Sequence, residues 1–340
     1  MKRIAFLTVF QILLFIFISE AQTITLLDSG KNTSIRGLSV VTNSVAWISG
    51  SNGYTALTND AGKTWKWKQL SGYENLDFRD IEAFSAREAI IVSAGTPAII
   101  LKTIDGGSSW KEVYRENSVD IFLDGMDFWN KNHGIVYGDP IKGKMQLLET
   151  RDGGNTWKNI TINLKVELAE GEASFAASGT AIRTAKRGNV WIATGGMQSR
   201  IFHSDNFGKT WEVYKCPIVQ GNNSSGPFSL AIYKGKNMVA AGGNYLIDTL
   251  RDKNLVLSDD GGKTWSQPST NLFGYRSAIE YISKKVLIAT GTSGTDLSTD
   301  GGQTWRTIST VGFNSVRKGK KGNFILLAGP KGKIARFQIF

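Results

Sequence analysis

Short runs of apolar and β-branched residues alternate with turn-forming residues along nearly the whole chain. Examples are Val45–Ser49, Ala89–Ala94, Ala98–Thr103 and His133–Gly138. Short apolar runs bounded by glycine, asparagine, aspartate and serine are typical of β-strands. The pattern therefore predicts an all-β protein built of many short strands joined by tight turns.

One turn pattern, seen in full at Ser258–Trp265, occurs six times in the chain: hydroxyl, x, Asp, x, Gly, x, hydroxyl, Trp. Its acidic or amide residues are Asp60, Asp105, Asp152, Asn206, Asp260 and Asp300, and its tryptophans are Trp65, Trp110, Trp157, Trp211, Trp265 and Trp305. The aspartate or asparagine can accept backbone N–H bonds, and glycine supplies the positive φ of a tight turn. Tryptophan is large enough to pack between neighbouring sheets. We therefore predict that these twelve residues are structural.

This pattern resembles the BNR or Asp-box repeat, which occurs in sialidases, sortilin-type receptors, xyloglucanases and photosystem II assembly-factor-like proteins. The repeat implies a β-propeller in each of them, without implying an activity. The stretches His133–Pro140 leading to Thr150–Trp157, and Val190–Gly196 leading to Ser204–Trp211, look like phrases of the bacterial photosystem II assembly-factor-like propellers. That resemblance covers roughly Ile24 to Phe340 and implies a binding or assembly platform.

The tryptophans lie 40 to 54 residues apart, which is the length of a propeller blade of four strands. Six such blades can be placed, at Ile35–Leu70, Phe78–Tyr114, Phe122–Ile160, Thr180–Lys215, Phe228–Gln267 and Tyr275–Ile308. After Trp305 only three more strands follow, and a fourth candidate lies at Thr23–Asp28. We therefore predict seven blades of four antiparallel strands, with an N-terminal strand completing the last blade. Six blades with a C-terminal tail is the alternative.

The first 21 residues are predicted to be a secretory signal peptide. Lys2 and Arg3 precede an apolar run at Ile4–Ile18, and Ser19-Glu20-Ala21 fits a cleavage site. Residues 22–340 would then form one exported propeller, periplasmic or secreted from a bacterium, with no stable membrane span. An uncleaved membrane anchor is the alternative.

Composition limits the chemistry further. Cys216 is the single cysteine and there are two histidines, so neither an internal disulfide nor a metal site is predicted. No dinucleotide, Cys-x-x-Cys or haem motif is present, so no cofactor is predicted. The net charge of +11 favours acidic partners. For an exported protein, an envelope protein, an anionic glycan or a small polar ligand is expected rather than nucleic acid. The oligomeric state stays open.

Strand order places the Asp-boxes on one face of the ring, and the longer loops Thr161–Gly179 and Pro217–Pro227 on the other. Long loops on a rigid scaffold often carry function. We therefore expect a ligand or partner site at the mouth of the central channel on the loop side. Its candidates are Arg36, Arg79 and Arg276, the acids Asp139, Glu170, Glu172 and Asp296, and Tyr245 and Tyr275. The alternative is that these charges pair between blades and hold the ring together.

The sequence favours a binding or assembly module over an enzyme. A sialidase-type glycoside hydrolase is the alternative, because sialidases grip a carboxylate with three arginines and attack with a tyrosine–glutamate pair. Arg36, Arg79 and Arg276 could supply the triad, with Tyr275 or Tyr245 and Glu172 or Glu170 as the pair. The arginine-containing start expected before the first Asp-box is absent, however, and Ser34–Gly37 matches it poorly. A cofactor-dependent oxidoreductase is a remote alternative.

Overall fold

The computed structural model describes residues 22–339. These residues form seven small antiparallel sheets. The innermost strands of the sheets contact one another in a closed circle, so the sheets are the blades of a seven-bladed β-propeller around a central channel. Strands are called a to d from the axis outwards. No helix within residues 22–339 has the length and apolar character needed to cross a membrane.

The strands follow the chain blade by blade. The N-terminal strand and blades 1 to 3 comprise β1 (Gln22–Asp28), β2 (Ile35–Val40), β3 (Ala46–Gly50), β4 (Tyr54–Thr58), β5 (Lys66–Gln69), β6 (Asp77–Ala83), β7 (Ala89–Ala94), β8 (Ala98–Thr103), β9 (Lys111–Glu116), β10 (Leu123–Asn130), β11 (His133–Ile141), β12 (Lys144–Thr150) and β13 (Lys158–Asn159). Blades 4 and 5 comprise β14 (Glu172–Ala173), β15 (Ile182–Ala185), β16 (Asn189–Gly196), β17 (Arg200–Ser204), β18 (Glu212–Lys215), β19 (Ser225–Tyr233), β20 (Asn237–Asn244) and β21 (Leu255–Ser258). Blades 6 and 7 comprise β22 (Ala278–Tyr281), β23 (Leu287–Gly291), β24 (Gly294–Ser298), β25 (Arg306–Ser309), β26 (Ser315–Lys318), β27 (Ile325–Ala328) and β28 (Ile334–Ile339). Short 3-10 helices lie at Thr161–Asn163, Lys186–Gly188 and Pro330–Gly332.

The ring is closed by the first strand, as the sequence predicted. β1 pairs with β28 along its length, from Gln22 opposite Ile339 to Asp28 opposite Ile334, and so becomes strand d of blade 7. The indole N–H of Trp67 in blade 1 donates to Asp28 at 2.8 Å. The seven-blade prediction is confirmed. The signal-peptide prediction falls on residues outside the described part of the chain.

Two blades depart from the predicted four strands. Blade 5 contains three, and only an isolated bridge between Leu257 and Ser266 stands in for its strand d. Pro268 stands two residues after Ser266, and proline has no N–H for a ladder hydrogen bond. In blade 4, strand a is divided into β14 and β15, and the intervening residues 174–181 leave the sheet.

The Asp-box turns share one local geometry. In the first, Asp60 accepts the backbone N–H of Thr64 at 2.9 Å and its hydroxyl at 2.6 Å, and Thr58 accepts the N–H of Gly62 at 2.9 Å. The first residue after the Asp or Asn of each box donates its N–H to a carbonyl of the a–b turn in the same blade, as Ala61 does to Ser44. The Asp-boxes and the a–b turns therefore lie on one side, called the Asp-box face. The b–c turns and d–a connections form the opposite side, called the loop face.

Tryptophans of the Asp-boxes pack between blades. Trp110 of blade 2 meets Trp47 of blade 1 edge to face, with ring centroids 6.1 Å apart. Trp157 of blade 3 packs in the same way against Phe128, within a cluster that also holds Ile90 of blade 2. Hydrophobic burial of this kind between sheets holds the ring together.

Candidate functional site

Residues 174–181, here called the channel segment, cross the central channel from blade 4. The segment is almost entirely buried and contacts all six of the other blades. Backbone and side-chain atoms of the segment bond to partners in blade 1 (Arg36), blade 3 (Asp139), blade 5 (Leu230), blade 6 (Ser277) and blade 7 (Arg317). The long loop Thr161–Gly179, which was predicted to lie on the face opposite the Asp-boxes, therefore folds partly into the ring.

Only small residues fit where the channel segment crosses. Gly179 has a φ of +67°, and a Cβ atom at that position would lie 2.2 Å from the carboxyl carbon of Asp80 in blade 2. Both the backbone angle and the close approach require glycine. The neighbouring residues Ala176, Ala177 and Ser178 are small as well, and this run is the sequence signal of the crossing.

A cavity of about 370 Å³, here called the mouth pocket, opens on the loop face above the channel segment. Its lining combines two arginines, two acids, a group of aromatic rings and residues of the channel segment. Of the candidates predicted from sequence, five line it: Arg36, Arg79, Asp139, Tyr245 and Tyr275.

The positive side of the mouth pocket is formed by Arg36 and Arg79. Arg36 is half-buried, and its Nη1 donates to the carbonyl of Ala177 at 3.1 Å. It forms no ion pair with a carboxylate of residues 22–339, whereas Arg79 pairs with Asp77 at 2.7 Å. Burial and the neighbouring charge of Arg79 lower the pKa of Arg36. An anionic group bound between the two arginines would relieve this repulsion.

Aromatic rings form the apolar side. Phe175 stacks on Phe228 with centroids 3.9 Å apart, and Tyr245 and Tyr275 meet Phe228 edge to face. Tyr245 is 46% exposed, whereas Tyr275 is buried, and burial raises the pKa of its hydroxyl. These rings offer a rigid surface to an apolar or planar group.

The acidic side of the mouth pocket holds a carboxyl group that was not among the predicted site residues. Asp124 is 1% exposed, and neither of its oxygens has a hydrogen-bond partner within residues 22–339. Burial and the nearby Asp139 raise the pKa of Asp124 well above its ordinary value. Burial also raises the pKa of Asp139, against the effect of a 3.0 Å hydrogen bond from the N–H of Ser174. The sequence signal that could have identified Asp124 is its position, as an acidic residue, within the otherwise largely apolar inner strand Leu123–Asn130.

Arg276 and Asp296 do not open onto the mouth, contrary to expectation. Both are fully buried, and the Nε of Arg276 donates to Asp296 at 2.8 Å. The Nη1 of Arg276 donates hydrogen bonds to the backbone carbonyl of Tyr275 at 2.9 Å and to the hydroxyl of Ser293 at 2.7 Å. The pair lies within blade 6, so it links strands of one blade rather than two neighbouring blades.

Glu172 is likewise held inside its own blade. Its side chain is fully buried and contacts Arg200 of the same blade at 2.5 Å, and the backbone N–H of Ala169 donates to it at 2.9 Å. Glu170 is exposed and lies away from the mouth pocket. The three arginines and the tyrosine–glutamate pair of the sialidase alternative are therefore not brought together.

Aligning the repeats on their Asp-boxes would have revealed the buried pair of blade 6. Two residues before the first hydroxyl of each box stand Ala56, Leu101, Leu148, Phe202, Val256 and Asp296. Five blades place an apolar residue there, and only blade 6 places a carboxylate. A carboxylate at a core position needs a buried cation, and Arg276 is in the same blade.

Replacing Asp124 by asparagine is expected to flatten the pH dependence of stability. Because the pKa of Asp124 is higher in the folded than in the unfolded state, its contribution to stability is fully present only below about pH 4, where the unfolded aspartate is also protonated. This contribution is lost as the pH rises, because the folded state then has to ionise a buried carboxyl group. The free energy of unfolding, measured with urea, should therefore fall less between pH 4 and pH 8 in the variant than in the wild type. Asn replacement of the exposed Asp120 is the control and should leave the profile unchanged. Identical profiles for wild type and Asp124→Asn would contradict the assignment.

Two family models match parts of the chain, and both agree with an Asp-box propeller. A family model described as Photosynthesis system II assembly factor YCF48 matches residues 22–120. A second model, the BNR/Asp-box repeat, matches residues 256–267. The resemblance to Asp-box propellers of the photosystem II assembly-factor-like type is thereby confirmed. A comparison with curated proteins finds no match.

Solved structures with the same fold include two YCF48 proteins. One, described as YCF48 bound to D1 peptide, is 17% identical with a TM-score of 0.67, over 93% of this chain and 96% of that one. YCF48 from Cyanidioschyzon merolae is 16% identical with a TM-score of 0.63, over 93% and 98%. The xyloglucanase of Xanthomonas campestris is 15% identical with a TM-score of 0.60, over 93% of this chain and 53% of the enzyme. At such identities, the likeness establishes the fold alone.

Proposed function

We propose that this propeller is a binding module that captures an extended protein segment in the mouth pocket. The observation that carries the proposal is the half-buried guanidinium of Arg36, which has no carboxylate partner within residues 22–339 and lies in the same cavity as a cluster of aromatic rings. A segment with an acidic side chain next to apolar ones would match both parts.

Three further observations support a protein ligand. The rings of Phe175, Phe228 and Tyr275 are fixed by mutual packing, so little conformational entropy is lost when an apolar side chain binds against them. A solved relative with the same fold is described as bound to a peptide. The protonated form of Asp124, favoured by burial, can donate a hydrogen bond to a carbonyl of the bound segment.

The probe is a phage-displayed library of random linear peptides, selected on the purified protein. Selected peptides are expected to combine an acidic residue with apolar ones, and their affinities are measured by calorimetry. Arg36→Ala should weaken binding at least about tenfold, because a charged hydrogen bond contributes about 1.5–3 kcal/mol. Arg87→Ala, on the Asp-box face, is the matched control and should bind normally. Selection of no peptides, or full affinity in Arg36→Ala, would refute the proposal.

A further inference from the structure

The turns between strands a and b surround the channel on the Asp-box face, and six of the seven carry exposed cations. In blade order these are Arg87, Lys131, Lys186 with Arg187, Lys234 with Lys236, Lys284 with Lys285, and Lys320 with Lys321. Glu88 is the one acidic residue in these turns. The Asp-box face therefore presents a circle of positive charge around the channel.

Most of these charges are not neutralised by the protein. Lys131 pairs with Glu88 at 2.6 Å, and Lys320 pairs with Glu82. Lys234 lies over the ring of Tyr233, and Arg87 donates to a backbone carbonyl. The other six side chains have no hydrogen bond or ion pair with residues 22–339: Lys186, Arg187, Lys236, Lys284, Lys285 and Lys321.

Five of the six turns that carry the charges are held in place by the Asp-box of the same blade. Gly106 donates to the carbonyl of Arg87 at 2.9 Å, Gly261 to that of Lys236 at 3.0 Å, and Gly301 to that of Lys285 at 2.7 Å. In blade 7, which has no Asp-box, the N–H groups of Lys320 and Lys321 donate to the carbonyls of Val40 and Val41 in blade 1. The cations are therefore presented together on one side of a rigid ring.

The positive charge decreases towards the rim of this face. The outer turns carry the Asp-box aspartates, and hydrogen bonds to Asp60 and Asp105 lower the pKa of each to about 2, so both are ionised at neutral pH. The exposed Lys63, Lys209 and Lys263 offset part of that negative charge. On the loop face, by contrast, acids and bases are mixed throughout the connections.

We propose that the Asp-box face binds the surface of an anionic phospholipid membrane. Six turns spread around a full circle can all be contacted at once only by a partner that extends in two dimensions, whereas a linear acidic segment would reach a few of them. Eight of the ten cations are lysines, which act as compact point charges without the bidentate geometry of arginine. Bound in this way, the protein would direct the mouth pocket away from the membrane.

The test is cosedimentation with vesicles of phosphatidylglycerol and phosphatidylcholine in equal amounts, compared with vesicles of phosphatidylcholine alone. At low salt the protein should sediment with the anionic vesicles only, and added salt should release it. A variant with Lys234, Lys236, Lys284 and Lys285 all replaced by asparagine should partition at least tenfold less. The expected size follows because each lysine near an anionic leaflet contributes roughly fivefold.

A matched control removes the same charge from the loop face. Lys142, Lys165, Lys253 and Lys331 are exposed there. Asparagine is tolerated at the positive φ found at Lys234 in the first set and at Lys142, Lys253 and Lys331 in the control set. This control should partition like the wild type. Failure to sediment with anionic vesicles, or an equal loss in both variants, would overturn the proposal. Binding to poly-glutamate without binding to vesicles would also overturn it and point to an acidic protein instead.

Discussion

Replacing Arg276 by alanine is expected to lower the free energy of unfolding by about 3–5 kcal/mol, which is the usual cost of leaving a buried charge unpaired. Asp296 would lose its 2.8 Å hydrogen bond from Arg276 while remaining fully buried. Bonds from the N–H of Phe273 and the hydroxyl of Thr307 would remain, but neither carries a positive charge. Urea-induced unfolding followed by tryptophan fluorescence measures the change.

Arg36→Ala is the matched control for this experiment. Arg36 also lies at the start of an inner strand, but it is half-buried and makes one hydrogen bond, to Ala177. We expect a loss of about 0.5–1.5 kcal/mol from its removal. The two variants thus separate a structural arginine from a binding one. Wild-type stability in Arg276→Ala, combined with loss of peptide binding, would instead restore Arg276 to the site.

Removing β1 is expected to destabilise the ring and to make the protein associate with itself. A chain that begins at Ser29 would lose the pairing of β1 with β28, and the packing of Ile24 and Leu27, which are partly buried. Full burial of one such side chain is worth about 1.5–3 kcal/mol. Losing the partial burial of two side chains together with the strand pairing is therefore expected to cost about 3 kcal/mol relative to a chain that begins at Gln22. β28 would become an exposed edge, and exposed edges pair with other chains.

Unfolding in urea measures the loss of stability, and light scattering coupled to size-exclusion chromatography measures the association. A synthetic peptide with the sequence of residues 22–28 should suppress the association by occupying the edge of β28. Leu26→Ser is the control for a change within β1 that leaves the pairing intact, because Leu26 is 58% exposed. A truncated chain that stays monomeric and as stable as the longer one would show that β1 does not close the ring.

Most of the propeller could be predicted because the blades repeat the same local pattern of short strands and turns. The predicted strands Ala89–Ala94 and Ala98–Thr103 agree with β7 and β8, since short apolar runs between fixed turns leave little choice of register. Strand a of blade 4 could not be predicted as it stands. Its interruption at residues 174–181 depends on contacts with six other blades, which are distant in sequence.

The site was predictable only in part, for a related reason. Arg36, Arg79 and Arg276 occupy similar places in their inner strands, so the strand alone does not distinguish them. What separates Arg276 is Asp296, two strands away in the sheet, whereas blade 1 has Ala56 in that position. Asp124 was missed because its significance lies in the absence of a partner in the folded protein, which depends on every neighbouring element.

The pairing of β1 with β28 also determines the order in which parts of the ring can fold. β1 is the first strand of the ring to be synthesised, and its backbone groups can pair only after the last strand, Ile334–Ile339, has been made. Until then blade 7 is incomplete and β1 remains an unpaired, partly apolar strand. Contacts that join the two ends of a chain are slow to form, because a long loop must be closed first. Ring closure is therefore expected after synthesis, as the final step by which the protein reaches its native state.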